Sequence, residues 1–76
     1  MKKLIEIPLE VGVLKIKVGD RFKAWHKLTG DRYFKLIGVT KSKKFTFYEL
    51  YSENMEKYFT AEPQWFIERS RIERVK

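Results

Sequence analysis

Alternation at a period of two residues, interrupted at short intervals by glycine, is the feature that most restricts this chain. In "VLKIKVG", Leu14, Ile16 and Val18 fall on one side of an extended segment and Lys15 and Lys17 on the other. That is the pattern of a half-buried strand. "RFKAW" repeats it, setting Phe22 and Ala24 against Arg21, Lys23 and Trp25. "RYFKLIGVT", rich in aromatic and β-branched residues, carries the strongest strand signal. "KKLIEIPLE" alternates less cleanly, and Pro8, which cannot donate to a ladder, suits an edge strand or a strand end.

The punctuation between these runs is that of hairpins. Gly12 predicts a turn between strands over residues 3–8 and 13–18. Val18-Gly19-Asp20 is a second turn. "TGD" is a third, in which Gly30 supplies the left-handed backbone that a short hairpin loop needs. "KSKK" reads as a polar exposed turn, "FTFYELYS" as a strand, "ENMEK" as a loop and "YFTAE" as the returning strand. After Pro63 the character changes, because proline is welcome in a first helical turn. "PQWFIERS" is expected to form a short helical turn that docks Trp65 and Phe66, and "RIERVK" a last strand. A continuous helix over 63–75 competes, since Trp65, Ile72 and Val75 also share a helical face.

Five or six short strands at this spacing predict an all-β chain closing as a small barrel or sandwich. In 76 residues the natural solution is an SH3-like barrel, whereas an OB-fold would need a helix between its third and fourth strands. The expected organisation is a single domain over 1–76, with a hairpin arm at 1–14, the barrel at 15–76 and the helical turn near 63–69. A chain this short buries only about 60% of its unfolded surface. Six Phe, four Tyr and two Trp offset that, because large rings bury the most area per residue. The lack of cysteine excludes disulfides and thiolate zinc sites. No apolar run approaches the ~20 residues of a membrane span, and "MKKLIEIPLE" carries charge where a signal peptide needs its apolar stretch. A soluble cytoplasmic protein without a membrane partner is the expectation.

The run "KVGDRFKAWHKLTGDRYFKLIGV", with the aromatic strand after it and the closing "PQWFIERSRIERV", resembles small SH3-like proteins of bacterial and phage genomes. The resemblance covers residues 17–75. It rests on a Gly-Asp turn before a strand, a glycine hairpin, a Tyr-bearing strand ending in Gly-Val, and a closing segment with Pro and an aromatic pair. It implies the barrel fold and a bacterial cell interior, and it implies no particular activity. The chain departs from the pattern in residues 1–14, which add the arm, and in Ser70 and Ile72, which stand near the place of an aromatic residue.

Catalytic chemistry finds little support. His26 is the one histidine, and Thr29, Thr40 and Ser42 stand at no spacing that makes a nucleophile–base pair with it. Asp20, Asp31, Glu49, Glu53, Glu56 and Glu62 are scattered, so no metal-ligand spacing emerges. Gly19, Gly30 and Gly38 are too far apart to cradle a phosphate. The chain reads as non-enzymatic and as needing no cofactor.

Charge is more informative. Seventeen Lys/Arg against ten Asp/Glu give a formal charge of +7. From Lys15 to Lys44 there are ten Lys/Arg and two Asp, and from Phe45 to Lys76 five Lys/Arg and six Glu. Such asymmetry is the expected footprint of an anion-binding surface. Cations that track phosphates and rings that stack bases suit nucleic acid, DNA or RNA. The candidate residues are Lys15, Lys17, Arg21, Lys23, Trp25, Lys27, Arg32, Tyr33, Lys35, Lys41, Lys43 and Lys44. The alternative is a protein-interaction module, such as a phage-encoded accessory or inhibitor protein on an acidic host surface, with Tyr48, Tyr51, Tyr58 and Trp65 as anchors. The N-terminal strand leaves two states open: a monomer, or a homodimer formed by strand addition.

Overall fold

The computed structural model describes residues 3–69 and 71–75. Ser70, singled out above, and the ends of the 1–76 domain lie outside the described residues. The elements run β1 (Leu4–Pro8), β2 (Val13–Lys17), β3 (Arg21–His26), β4 (Gly30–Lys41), β5 (Thr46–Ser52), β6 (Lys57–Ala61), α1 (Pro63–Ile67) and β7 (Arg71–Val75). The all-β expectation holds, and the described residues form seven strands, two in the N-terminal hairpin and five in the larger sheet.

The strands form two antiparallel sheets. β1 and β2 pair only with each other, while the larger sheet has the order β6-β5-β4-β3-β7. Its edge strands, β6 and β7, are not paired to one another, so the sheet is open and no closed barrel forms. β2, assigned to the barrel from sequence, belongs to the N-terminal hairpin instead. The reason lies in register: Leu4 faces Lys17 and Pro8 faces Val13. The turn at Gly12 returns β2 along β1, and the turn at Gly19 then leads the chain into the larger sheet.

Glycine makes the turns in three places. Gly12, Gly19 and Gly30 have φ of 81°, 99° and 73°, the left-handed region that side chains disfavour. Asp20 adds local bonding, its Oδ2 accepting from the Lys17 N–H at 3.0 Å. The Gly19 N–H then donates to the Leu36 carbonyl at 2.7 Å, which ties the turn to the large sheet. In the "KSKK" turn Ser42 Oγ accepts from the N–H groups of Lys44 and Phe45 at 3.4 and 3.3 Å.

The alternation sorts the side chains as expected. Phe22, Ala24, Phe34, Leu36, Leu50 and Tyr48 point into one core with Ile7, Leu14 and Ile16 of the hairpin. α1 begins at Pro63 after an extended Glu62 and places Phe66 in that core. There the Phe66 ring lies 5.8 Å from Phe22 and 5.1 Å from Tyr48, centroid to centroid. The helix ends before Ser70 and β7 pairs with β3, so the continuous helix over 63–75 does not form. The pairing of Ala24 with Ile72 explains this, because it brings Ile72 against the core.

Candidate nucleic-acid interface

The solvent face of the larger sheet is built by the residues that alternate with the core. Pairings of Arg21 with Lys35, Lys23 with Tyr33 and Trp25 with Asp31 bring Arg21, Lys23, Trp25, Tyr33 and Lys35 onto one surface, as the alternation predicts. The same register carries the row further. Lys35 faces Tyr51, and Tyr51 faces Tyr58. Tyr58, Tyr51, Lys35 and Arg21 therefore stand side by side across three strand spacings, about 14 Å at ~4.8 Å each. The Tyr51 and Tyr58 rings are 4.7 Å apart, and Tyr58 is 70% exposed.

The cations on this face are partly occupied. Glu53 Oε2 and Oε1 accept from Arg21 Nε and Nη2 at 2.7 and 2.8 Å, a bidentate fork. That hydrogen bond and the guanidinium charge hold the Glu53 carboxyl below the usual carboxylate range, with Lys35 adding to the effect. Lys23 Nζ lies 3.6 Å from Glu73 on β7. Arg71, also on β7, places its guanidinium carbon 5.4 Å from the centre of the Trp25 ring, and that of Arg21 lies 5.5 Å from the Tyr33 ring. Among the described residues Lys35 and Arg71 have no carboxylate within ion-pair distance. Charge segregated along the sequence is thus mixed in space, since β7 and the β5–β6 loop bring acids back to β3.

The remaining candidates disperse. Lys15 and Lys17 stand on the exposed face of the small sheet, Lys15 opposite Glu6. Lys27 is in the β3–β4 turn, and Lys43 and Lys44 are in the β4–β5 turn. Lys41 leaves the face of Lys35 because β4 carries a bulge between Leu36 and Gly38. The extra residue reverses the parity of the strand beyond it, and Lys41 borders the cleft beside Leu4, Val18 and Val39. Arg32 shares the parity of Phe34 and faces the other way, into a groove with Trp65.

Two of the four alternative anchors are not surface rings. Tyr48 is 3% exposed because it alternates in step with Leu50, and burial pushes its phenol above the usual value. Trp65 is half-buried, edge-on to Phe34 at 5.0 Å, with the Arg69 guanidinium carbon 3.7 Å over its ring. Burial lowers the Arg69 guanidinium, while Glu68 opposes the shift. Tyr51 and Tyr58 keep an outward position.

Sequence reasoning set Glu53 at the rim of the aromatic patch but missed its pairing with Arg21, and it missed Arg69, Arg71 and Glu73. The signal for Arg71 and Glu73 was the parity of "RIERV", and for Arg69 its four-residue spacing from Trp65. No signal marks the pairing of Glu53, whose position depends on how the loop folds back. His26 is engaged locally, its Nδ1 accepting from the Leu28 N–H at 3.2 Å. Among the described residues no three His, Asp or Glu side chains gather as metal ligands would, and no helix is long and apolar enough to cross a membrane.

The fold and face define a small all-β protein with an open five-stranded sheet and an aromatic, cation-bearing solvent surface. In comparisons with known proteins, no family model, no curated protein and no solved structure matches the chain.

Proposed function

We propose that this is a non-enzymatic module that binds single-stranded nucleic acid on the solvent face of its five-stranded sheet. The observation that carries the proposal is one surface holding four rings, Trp25, Tyr33, Tyr51 and Tyr58, interleaved with Lys23, Lys35 and Arg71. A sheet offers rings at the strand spacing. Each base stacked on an aromatic side chain contributes about 1–3 kcal/mol, and the cations meet the backbone between them. The same strand order supports an SH3-like ancestry with the barrel opened: β3 lies between β4 and β7, and α1 precedes the last strand.

Fluorescence anisotropy with labelled single-stranded oligonucleotides at two salt concentrations tests the proposal. Three phosphate contacts, from Lys23, Lys35 and Arg71, give a slope of log K against log salt of about −2. Lys23→Glu with Lys35→Glu abolishes binding while the circular dichroism spectrum and melting curve stay near those of the parent. Lack of binding by the parent at low salt refutes the proposal.

The Tyr51–Tyr58 pair supports a second reading, a docking patch for a protein partner, because Tyr58 is the more exposed ring and the pair sits beside Glu53. That reading gains if Tyr58→Ser abolishes capture of one purified partner and leaves oligonucleotide affinity untouched.

A further inference from the structure

Behind the proposed interface, on the core side of β4, is a groove of about 220 Å³. Its floor is apolar: Phe34, Phe59 and Trp65 meet edge-on or tilted, with centroid separations of 5.0 to 5.9 Å, and Met55 forms one wall. Arg32 and Arg69 also line it. Arg69 is fixed in place, its Nη1 donating to the Trp65 carbonyl at 2.8 Å and its guanidinium lying over the Trp65 ring. That hydrogen bond uses one of five N–H donors. Among the described residues neither arginine has a carboxylate within ion-pair distance, and Arg32 has no hydrogen-bond partner for its side chain.

Two forks of N–H donors beside an apolar floor define a ligand with two parts. The forks match the several oxygens of a phosphomonoester better than a single carboxylate, since guanidinium groups recognise planar or tetrahedral oxyanions bidentately. The floor matches a flat ring. The groove is smaller than the ~300–1,000 Å³ of sites that enclose drug-sized ligands, and it is open to solvent, so it seats the phosphate and one face of a ring and leaves the rest of the ligand outside.

We propose that this groove binds a nucleoside monophosphate, its phosphate held by Arg32 and Arg69 and its base laid against Met55, Phe59 and the edge of Trp65. The site is separate from the sheet face. Arg32 and Tyr33 are consecutive residues on opposite sides of β4, so the monophosphate has two possible sources: a free nucleotide, or the phosphorylated end of a strand lying on the face.

The test follows Trp65 emission in a Trp25→Phe background, where it is the remaining indole, while oligonucleotide affinity for the sheet face is read by anisotropy on the parent. Adenosine monophosphate, adenosine, O-phosphotyrosine, and short oligonucleotides with a 5′-phosphate or a 5′-hydroxyl are the probes. The monophosphate is expected to shift the emission and to bind at least ~10-fold more tightly than adenosine, the difference that charge-assisted hydrogen bonds supply. Arg32→Gln removes that preference and Arg32→Lys restores part of it. Met55→Glu, at an exposed position, does the same by placing a carboxylate at the mouth, and it leaves the core intact if Arg32→Gln does not fold. A 5′-phosphorylated oligonucleotide that shifts Trp65 emission and binds more tightly than its 5′-hydroxyl counterpart identifies a strand end as the source, and equal affinity of the two strands identifies the free nucleotide. Equal affinity for the monophosphate and adenosine overturns the proposal, as does a preference that survives both Arg32→Gln and Met55→Glu. Tighter binding of O-phosphotyrosine overturns the nucleotide assignment. Oligonucleotides that fail on the sheet face while the monophosphate binds refute the sheet-face function and leave the groove standing, and the converse refutes the groove alone.

Discussion

Arg21 and Glu53, thirty-two positions apart, form a two-pronged ion pair across β4. The loop that carries Glu53 is bound to the strand between them. The Glu53 N–H donates to the Tyr33 carbonyl at 3.0 Å, and Asn54 Oδ1 accepts from the Tyr33 N–H at 3.0 Å. Tyr33 is therefore held by both backbone groups while Arg21 sits beside its ring. The pair joins two loops' worth of sequence into one surface and also occupies the guanidinium fork that a phosphate would use.

Removing the Glu53 charge frees that fork. Glu53→Gln is expected to tighten oligonucleotide binding several-fold and to steepen its salt dependence by about one phosphate contact, read by anisotropy at two salt concentrations. Unchanged affinity and slope would show that Arg21 takes no part in binding.

The same pair sets a pH dependence. The Glu53 carboxyl is depressed chiefly by its hydrogen bond to Arg21, so its contribution to stability is complete above the ordinary glutamate range of about pH 4–5. It is lost as pH falls through the depressed value. Urea unfolding of the parent and Glu53→Gln should differ most at neutral pH and converge in acid. The gap is small, because both groups are partly exposed and solvent-screened.

Much of this was legible in the sequence. Alternation in "VLKIK" and "RFKAW" located Leu14, Ile16, Phe22 and Ala24 in the core, and glycine located three turns. Arg32 and Tyr48 were legible too, by parity with Phe34 and with Leu50, but their residue types suggested surface positions. The bulge after Leu36 was not legible, because an inserted residue looks like any other until a partner strand counts past it. The acids that neutralise Arg21 and Lys23 were hidden for different reasons: the fold of the β5–β6 loop brings Glu53 to Arg21, and strand order, which parity does not encode, returns β7 and Glu73 beside β3.

Two tyrosines separate core from surface. Tyr58→Ser should change unfolding free energy by no more than about 0.5 kcal/mol. It should weaken single-strand binding by roughly 5- to 150-fold, the loss of one stacked base at ~1–3 kcal/mol. Tyr48→Ser should instead lower stability by about 3 kcal/mol or more, as other truncations of buried rings do. Thermal melts and anisotropy distinguish the two.

Phe66 anchors α1 from a fully buried position. Phe66→Ala is expected to cost about 3–5 kcal/mol, a large part of the roughly 4–11 kcal/mol that 76 residues would hold at 0.05–0.15 kcal/mol each. The melting midpoint should fall by at least ~12 °C in a calorimetric scan.

Gly30 isolates a backbone effect. A Cβ built there meets nothing within 4 Å, so any penalty arises from its positive φ. Gly30→Ala should destabilise by about 1–2 kcal/mol in urea titrations, and Gly30→Asn by less, since asparagine visits the left-handed region more readily. Equal losses would mean that the turn relaxes to another type.

The N-terminal hairpin closes its strand ladder entirely within itself, yet Ile7, Leu14 and Ile16 are part of the common core. Its hold on the larger sheet is therefore through side chains, whereas the sheet is also held together by backbone pairing. Every rung of the five-stranded ladder is made without it, and the turn that follows β2 is the point at which the backbone is tied to β4. Ile7, Leu14 and Ile16 are thus a floor laid against the sheet and not a part of its ladder.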